Sequence, residues 1–232
     1  MKTVKISALA LAMAGVFATS AHAQSAKTNA WEGFYAEAAV GYAAFSPTVT
    51  GARLAPTGYP AGVTVPVATS TTDLNTATNK LGVGYNYGIN DKFTLGLAAS
   101  YAIGASSAAG GTFNAGTGPK WFNYQLKNIW SVTLNPGYVI DKDSLVYGKV
   151  GATGNTMGLN GQTANYQTNN FTGYVLGLGY KQMVTQSIYL LGEVNYASLS
   201  SKTATLATSS GPITANLGGS GYDFIVGLGY RF

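Results

Sequence analysis

Two glutamates, Glu37 and Glu193, and the lysines that share their side of the chain are the residues with the types and spacing to do chemistry. A facing pair of carboxylates could act as acid and base. Here each glutamate has a lysine within reach of its side of the pattern, and such a pair is instead an ion pair. The only histidine of the chain is His22, and there is no cysteine. Once the segment carrying His22 is removed, neither a Ser-His-Asp nor a Cys-His site can be built. Metal sites based on imidazole or thiolate go with them, and no cofactor is expected. Gly82-Val83-Gly84, Gly177-Leu178-Gly179 and Gly227-Leu228-Gly229 look like pieces of nucleotide loops. No helical segment follows any of them, so the phosphate-cradle reading fails for lack of context.

The elements that must position these residues are strands. Alternating segments run over about residues 34–45, 79–89, 93–104, 121–140, 144–154, 170–182, 187–198 and 220–232, eight in all. In the last, Tyr222, Phe224, Val226, Leu228, Tyr230 and Phe232 form an unbroken apolar row at period two, so they share one face. The opposite phase collects most of the strand charges: Glu37, Lys80, Lys127, Lys149, Lys181, Glu193, Asp223 and Arg231. Lys181 and Arg231 fall near a strand end, where they could reach water. A lipid-facing Lys or Arg at the bilayer midplane costs about 2–4 kcal/mol, so a consistent phase assigns the charges to the interior. Two readings stay open there. The charges form a structural network of ion pairs that fills the lumen, with Tyr35, Tyr147 and Tyr189 closing the gaps, or they line a narrow passive pore.

Three connections are short and turn-like: Asn90-Asp91-Lys92, Asp141-Lys142-Asp143 and about residues 183–186. The other four, about residues 46–78, 105–120, 155–169 and 199–219, read as long loops rich in Ser, Thr, Ala and Gly. Short turns at one end and long loops at the other are the asymmetry of bacterial membrane barrels. The long loops carry only Arg53, Asp73, Lys120 and Lys202, too few charges for a polyanion surface, and nucleic-acid binding is not expected.

The N-terminus reads as a cleaved signal peptide over residues 1–23. Lys2 and Lys5 precede an apolar run, and Ala21-His22-Ala23 is a small-x-small cleavage site. Residues 24–232 then form a single domain. Without Lys2 and Lys5 the 13 basic residues become 11 against 8 acidic ones, a net charge of +3. Only 9% of the residues are charged, far below the ~25% of a soluble domain. Yet no later segment approaches the length of a membrane helix. A strand-built membrane protein satisfies both facts, because its backbone hydrogen bonds are made between strands.

The signal peptide, the strand count, the loop asymmetry and the Gly221–Phe232 ending together resemble the OmpA/OmpX-type family of small outer-membrane proteins. The resemblance covers the barrel domain only, without a C-terminal peptidoglycan-binding domain. It implies an all-β fold, an eight-stranded antiparallel up-and-down transmembrane β-barrel in the outer membrane of a Gram-negative cell, acting as a monomer. The implied function is non-enzymatic: envelope structure or display of surface loops, with a narrow pore or a loop-borne adhesin as alternatives. Partners implied are outer-membrane lipid and lipopolysaccharide, periplasmic chaperones and the barrel-assembly machinery. That machinery would read the row from Tyr222 to Phe232.

Overall fold

The computed structural model describes residues 29–114, 118–161 and 164–232; the expected signal peptide lies outside them. Among the described residues there are eleven strands and no helix. They are β1 (Gly33–Leu54), β2 (Val65–Pro66), β3 (Ala68–Thr71), β4 (Leu74–Gly88), β5 (Phe93–Ala102), β6 (Ala109–Asn114), β7 (Lys120–Asp141), β8 (Ser144–Gly161), β9 (Ala164–Met183), β10 (Ile188–Thr208) and β11 (Gly211–Arg231). Eight of them close into an antiparallel ring in the order β1, β4, β5, β7, β8, β9, β10, β11 and back to β1. First and last strands meet directly, Tyr35 opposite Arg231 through to Ala44 opposite Tyr222. The short β2 pairs with β1, and β3 with β6, beyond one end of the ring.

The outer wall is apolar and uncovered. All six apolar side chains of the last row are exposed, as are Leu95, Leu97, Val132, Leu134, Leu176 and Leu178, the last at 70%. A soluble barrel would turn these residues inward, so the wall faces lipid. Aromatic rings mark both edges of the band. At the short-turn end Phe34 meets Tyr85, Phe93 meets Tyr138 and Tyr230 meets Phe232, with centroids 4.7–5.4 Å apart. At the other end Tyr174, Tyr196 and Tyr222 form a row across three strands. From Tyr222 to Phe232 is ten residue steps, about 33 Å of strand. A tilt of ~40° reduces that to ~25 Å, the height of the apolar band of an outer-membrane barrel.

The three short turns are held by their own side chains. Asn90 accepts the N–H groups of Lys92 and Phe93, Asp141 that of Asp143, and Thr185 that of Ile188, all at 2.8–2.9 Å. These short side-chain acceptors mimic a backbone turn, which is why Asn, Asp and Thr serve there.

The opposite end departs from the expectation of long loops. β8 and β9 continue to within a few residues of each other, and β10 and β11 pair as far as Thr208 opposite Gly211. The segments over 155–169 and 199–219 are therefore mostly strand, standing well clear of the lipid band. The residues over 46–78 and 105–120 likewise contain the end of β1, all of β2, β3 and β6, and the start of β4. Thr and Val support pleated strands there as well as in lipid. Bulges hid the pattern: the register shifts between Thr50 and Arg53, between Lys127 and Trp130, and between Leu199 and Lys202. Each extra residue exchanges the two faces, so alternation read straight through breaks down.

Hydrogen exchange on the protein in lipid nanodiscs should protect the amides of the Lys202–Thr208 and Gly211–Leu217 ladder by about a hundredfold over those of residues 58–62. Equal exchange would show that this segment is a loop in the membrane.

Candidate functional site: a closed, charge-filled lumen

Inward-facing side chains divide the lumen into zones. Trp31, just ahead of β1 and 1% exposed, lies across the short-turn mouth and packs edge-on against Tyr189 at 5.5 Å. Its carbonyl accepts the Asn86 side-chain amide at 3.2 Å, and Asn29 beneath it donates to the Asn90 carbonyl at 2.8 Å. Above Trp31 come Tyr35, Tyr147 and Tyr189, all buried. Each lies directly opposite a glycine of the neighbouring strand: Tyr35 opposite Gly84, Tyr147 opposite Gly179, Tyr189 opposite Gly229. A methyl group at any of those glycines would fall within 2.1–2.5 Å of the ring. Glycine is needed there because the rings lie flat on the sheet, which is how three tyrosines fit side by side in so narrow a barrel.

The charges thread between these rings. Lys181 Nζ is 2.5 Å from Glu37 Oε1 and stands over the rings of Tyr35, Tyr147 and Tyr189 at 4.1, 4.9 and 5.1 Å. Tyr189 donates to the same glutamate oxygen at 2.8 Å. Lys149 pairs with Glu193 at 2.7 Å, and Tyr147 donates to the other oxygen of Glu193 at 2.5 Å. Lys80 pairs with Asp223 at 2.8 Å. Asn195 links the last two pairs by donating to Glu193 at 3.2 Å and to Asp223 at 2.8 Å. Three cations thus meet three carboxylates, and the layer is neutral. The ring wall of β5 and β7 across from them offers small neutral groups, among them Ser100 and Ser131, whose hydroxyls are 2.8 Å apart.

Higher still, the lumen turns apolar. Phe45, Leu74, Tyr124, Leu126, Met157, Leu159, Phe171 and Leu199 form a buried cluster over the charges. Leu54, Val67, Phe113 and Ile213 form another above it.

Of the residues expected in the lumen network, Glu37, Lys80, Lys149, Glu193 and Asp223 are brought together there. Three positions differ. Lys181, placed on the inner face near a strand end from which it could reach water, is 3% exposed and enclosed by glutamate and tyrosine. Arg231 has the inward phase but lies outside the network, at the rim, donating to the Gln186 carbonyl at 2.8 Å. Lys127 is not a lumen residue. It lies beyond the bulge in β7, opposite Thr156 on the outward phase of β8, while Leu126 opposite Met157 takes the inward place. Trp31 was not foreseen; a bulky aromatic three residues ahead of Phe34 was the available sign.

The profile of the family described as "Outer membrane protein beta-barrel domain" matches residues 9–232. The chain belongs to that family. Among solved structures it is similar to the outer membrane protein OprG from Pseudomonas aeruginosa, with 14% identity, 87% of this chain and 97% of that one covered, and a TM-score of 0.53. The outer membrane protease OmpT from Escherichia coli shares 12% identity, with 86% and 96% covered and a TM-score of 0.50. The attachment invasion locus protein Ail of Yersinia pestis shares 16%, with 86% and 99% covered and a TM-score of 0.43. At these identities the first two establish the fold alone. No curated protein matches the chain.

Breaking one buried pair should cost more than removing both members. Glu37→Gln alone, which strands Lys181, is expected to lose about 3–5 kcal/mol in guanidinium unfolding from lipid vesicles. Glu37→Gln/Lys181→Met together should lose clearly less than Glu37→Gln alone, because no buried charge is left without its partner.

Proposed function

We propose that this protein is a sealed, non-catalytic outer-membrane barrel whose role lies in the β-hairpins it holds outside the membrane. One observation carries this reading: the lumen is blocked in series by Trp31, a neutral layer of ion pairs and an apolar cluster. Each lumen carboxylate is engaged by a lysine, and Glu193 and Glu37 also by tyrosine hydroxyls, so none stands as a poised base. Asp73 is the sole acidic residue beyond the lipid band at the hairpin end. That end would face outward, since short turns are periplasmic in barrels of this class. OmpT is a protease, but likeness to it extends to the fold alone.

This reading disfavours the pore. A conducting path would have to pass Lys181 among its three rings, and eight strands leave room only for filling side chains. Surface display is supported by how far β8–β9 and β10–β11 continue past the aromatic row, and an adhesive role is one form it could take. We assign the last row, Tyr222, Phe224, Val226, Leu228, Tyr230 and Phe232, to recognition by the assembly machinery, since all six lie on the open outer face.

In a planar bilayer the purified protein should show no steady single-channel current, while Lys149→Ala/Glu193→Ala should admit ions in brief steps. Stable wild-type conductance whose ion selectivity changes in the double variant would make the barrel a pore. Phe232→Ser should slow membrane assembly in cells severalfold, read as accumulation of unfolded chain; unchanged folded yield would remove the terminal row from recognition.

A further inference from the structure

The charges of the lumen stop partway along its length, and only part of that change is explained by closure. Within the lipid band the inward residues include every paired charge of the lumen, set among tyrosines, small groups and a few aliphatics such as Leu145, Leu191 and Ile225. Beyond the band no lipid is present, yet the inward residues there are almost wholly apolar. The bulges in β1, β7 and β10 add to this, by turning Leu54, Leu126, Ala204 and Leu206 inward where the phase read from below would have turned them out. The two apolar clusters do not meet completely. Between them is a cavity of about 80 Å³, lined by Phe113, Tyr124, Met157, Leu206, Ile213 and Ala215 among others. Among the described residues its lining holds no charged one, and its polar members are threonines and one asparagine, Asn160. Tyr124 presents its ring, because its hydroxyl is used on the Thr72 carbonyl at 2.6 Å.

An unfilled apolar void costs stability in proportion to its volume, and a dry cavity of this kind takes up hydrocarbon where it would refuse water. We infer that this cavity is a binding site for a small, uncharged, largely hydrocarbon molecule arriving from the external solution. The lack of any charge excludes an anionic or cationic group from the enclosed part. At about half the volume of a dry cavity that holds benzene, that part seats a methyl group, the edge of a ring or a short run of methylenes, with the rest of the molecule directed toward the threonines and Asn160. The site lies above the ion-pair layer and is separated from it by Leu126, Phe171 and Leu199, so binding here does not require transport through the barrel.

The chain carries its own reporters. Met157 lines the cavity, and Met183 packs at the opposite end of the lumen. Protein with ¹³C-labelled methionine methyl groups, in lipid nanodiscs, would be titrated with toluene. The expected result is a saturable shift of the Met157 methyl with Met183 unmoved, and at least a tenfold weaker response in Ala215→Leu, which fills the cavity. Ala204→Leu serves the same end if the first variant does not fold. The proposal is overturned if the two methyls drift together without saturation, which is partition into the bilayer, or if Met157 is unmoved up to the solubility of toluene. It is also overturned if dihexanoylphosphocholine moves Met157 and toluene does not, since the cavity would then seat lipid tails. None of these outcomes depends on whether the barrel conducts.

Discussion

A membrane interior offers no partner to an unpaired N–H or C=O, and the closed ring follows from that one constraint. Because β1 must find β11, the eight strands curl into one narrow closed ring. The interior is then too narrow for a bulk-water channel, and side chains fill it from end to end. Its contents are set by the circle. Tyrosines lie flat on glycines of the neighbouring strand, lysines reach over them, and every carboxylate is claimed. The outer face has the simpler task of matching lipid, and it does so with a bare apolar wall edged by aromatic rings.

Within the lipid band, period-two alternation was enough to read the structure. Tyr222 through Phe232 on one face, and Glu37, Lys80, Lys149, Glu193 and Asp223 on the other, follow directly from where lipid is. The pairing of the glutamates with lysines was legible too, although which lysine was not. Glu37 takes Lys181 from β9, three strands around the ring, a match that depends on strand stagger and ring curvature rather than on any local pattern.

Legibility ended at the bulges. Lys127 keeps the odd numbering of Ser131 and Thr133, but one extra residue between them reverses its face. The bend includes Asn128 at a φ of 51°, a conformation asparagine tolerates better than most residues. Past such points both faces of the strand meet water or a small apolar core, the lipid no longer enforces alternation, and a hairpin looks like a Thr- and Ala-rich loop. Trp31 was hidden for another reason: it belongs to no strand, and its position depends on the diameter of the mouth it covers.

Two of the three ion pairs, Lys80 with Asp223 and Glu37 with Lys181, straddle the junction of the first and last strands. Neither can form while that junction is open, because the partners sit on strands that approach each other only when the ring shuts. Until then these lysines and carboxylates are solvated, and the space between them is wet. Drying of the interior and locking of the junction are therefore one event. The first strand of the chain waits for the last, and the interior charges make an incompletely closed sheet a poor resting state.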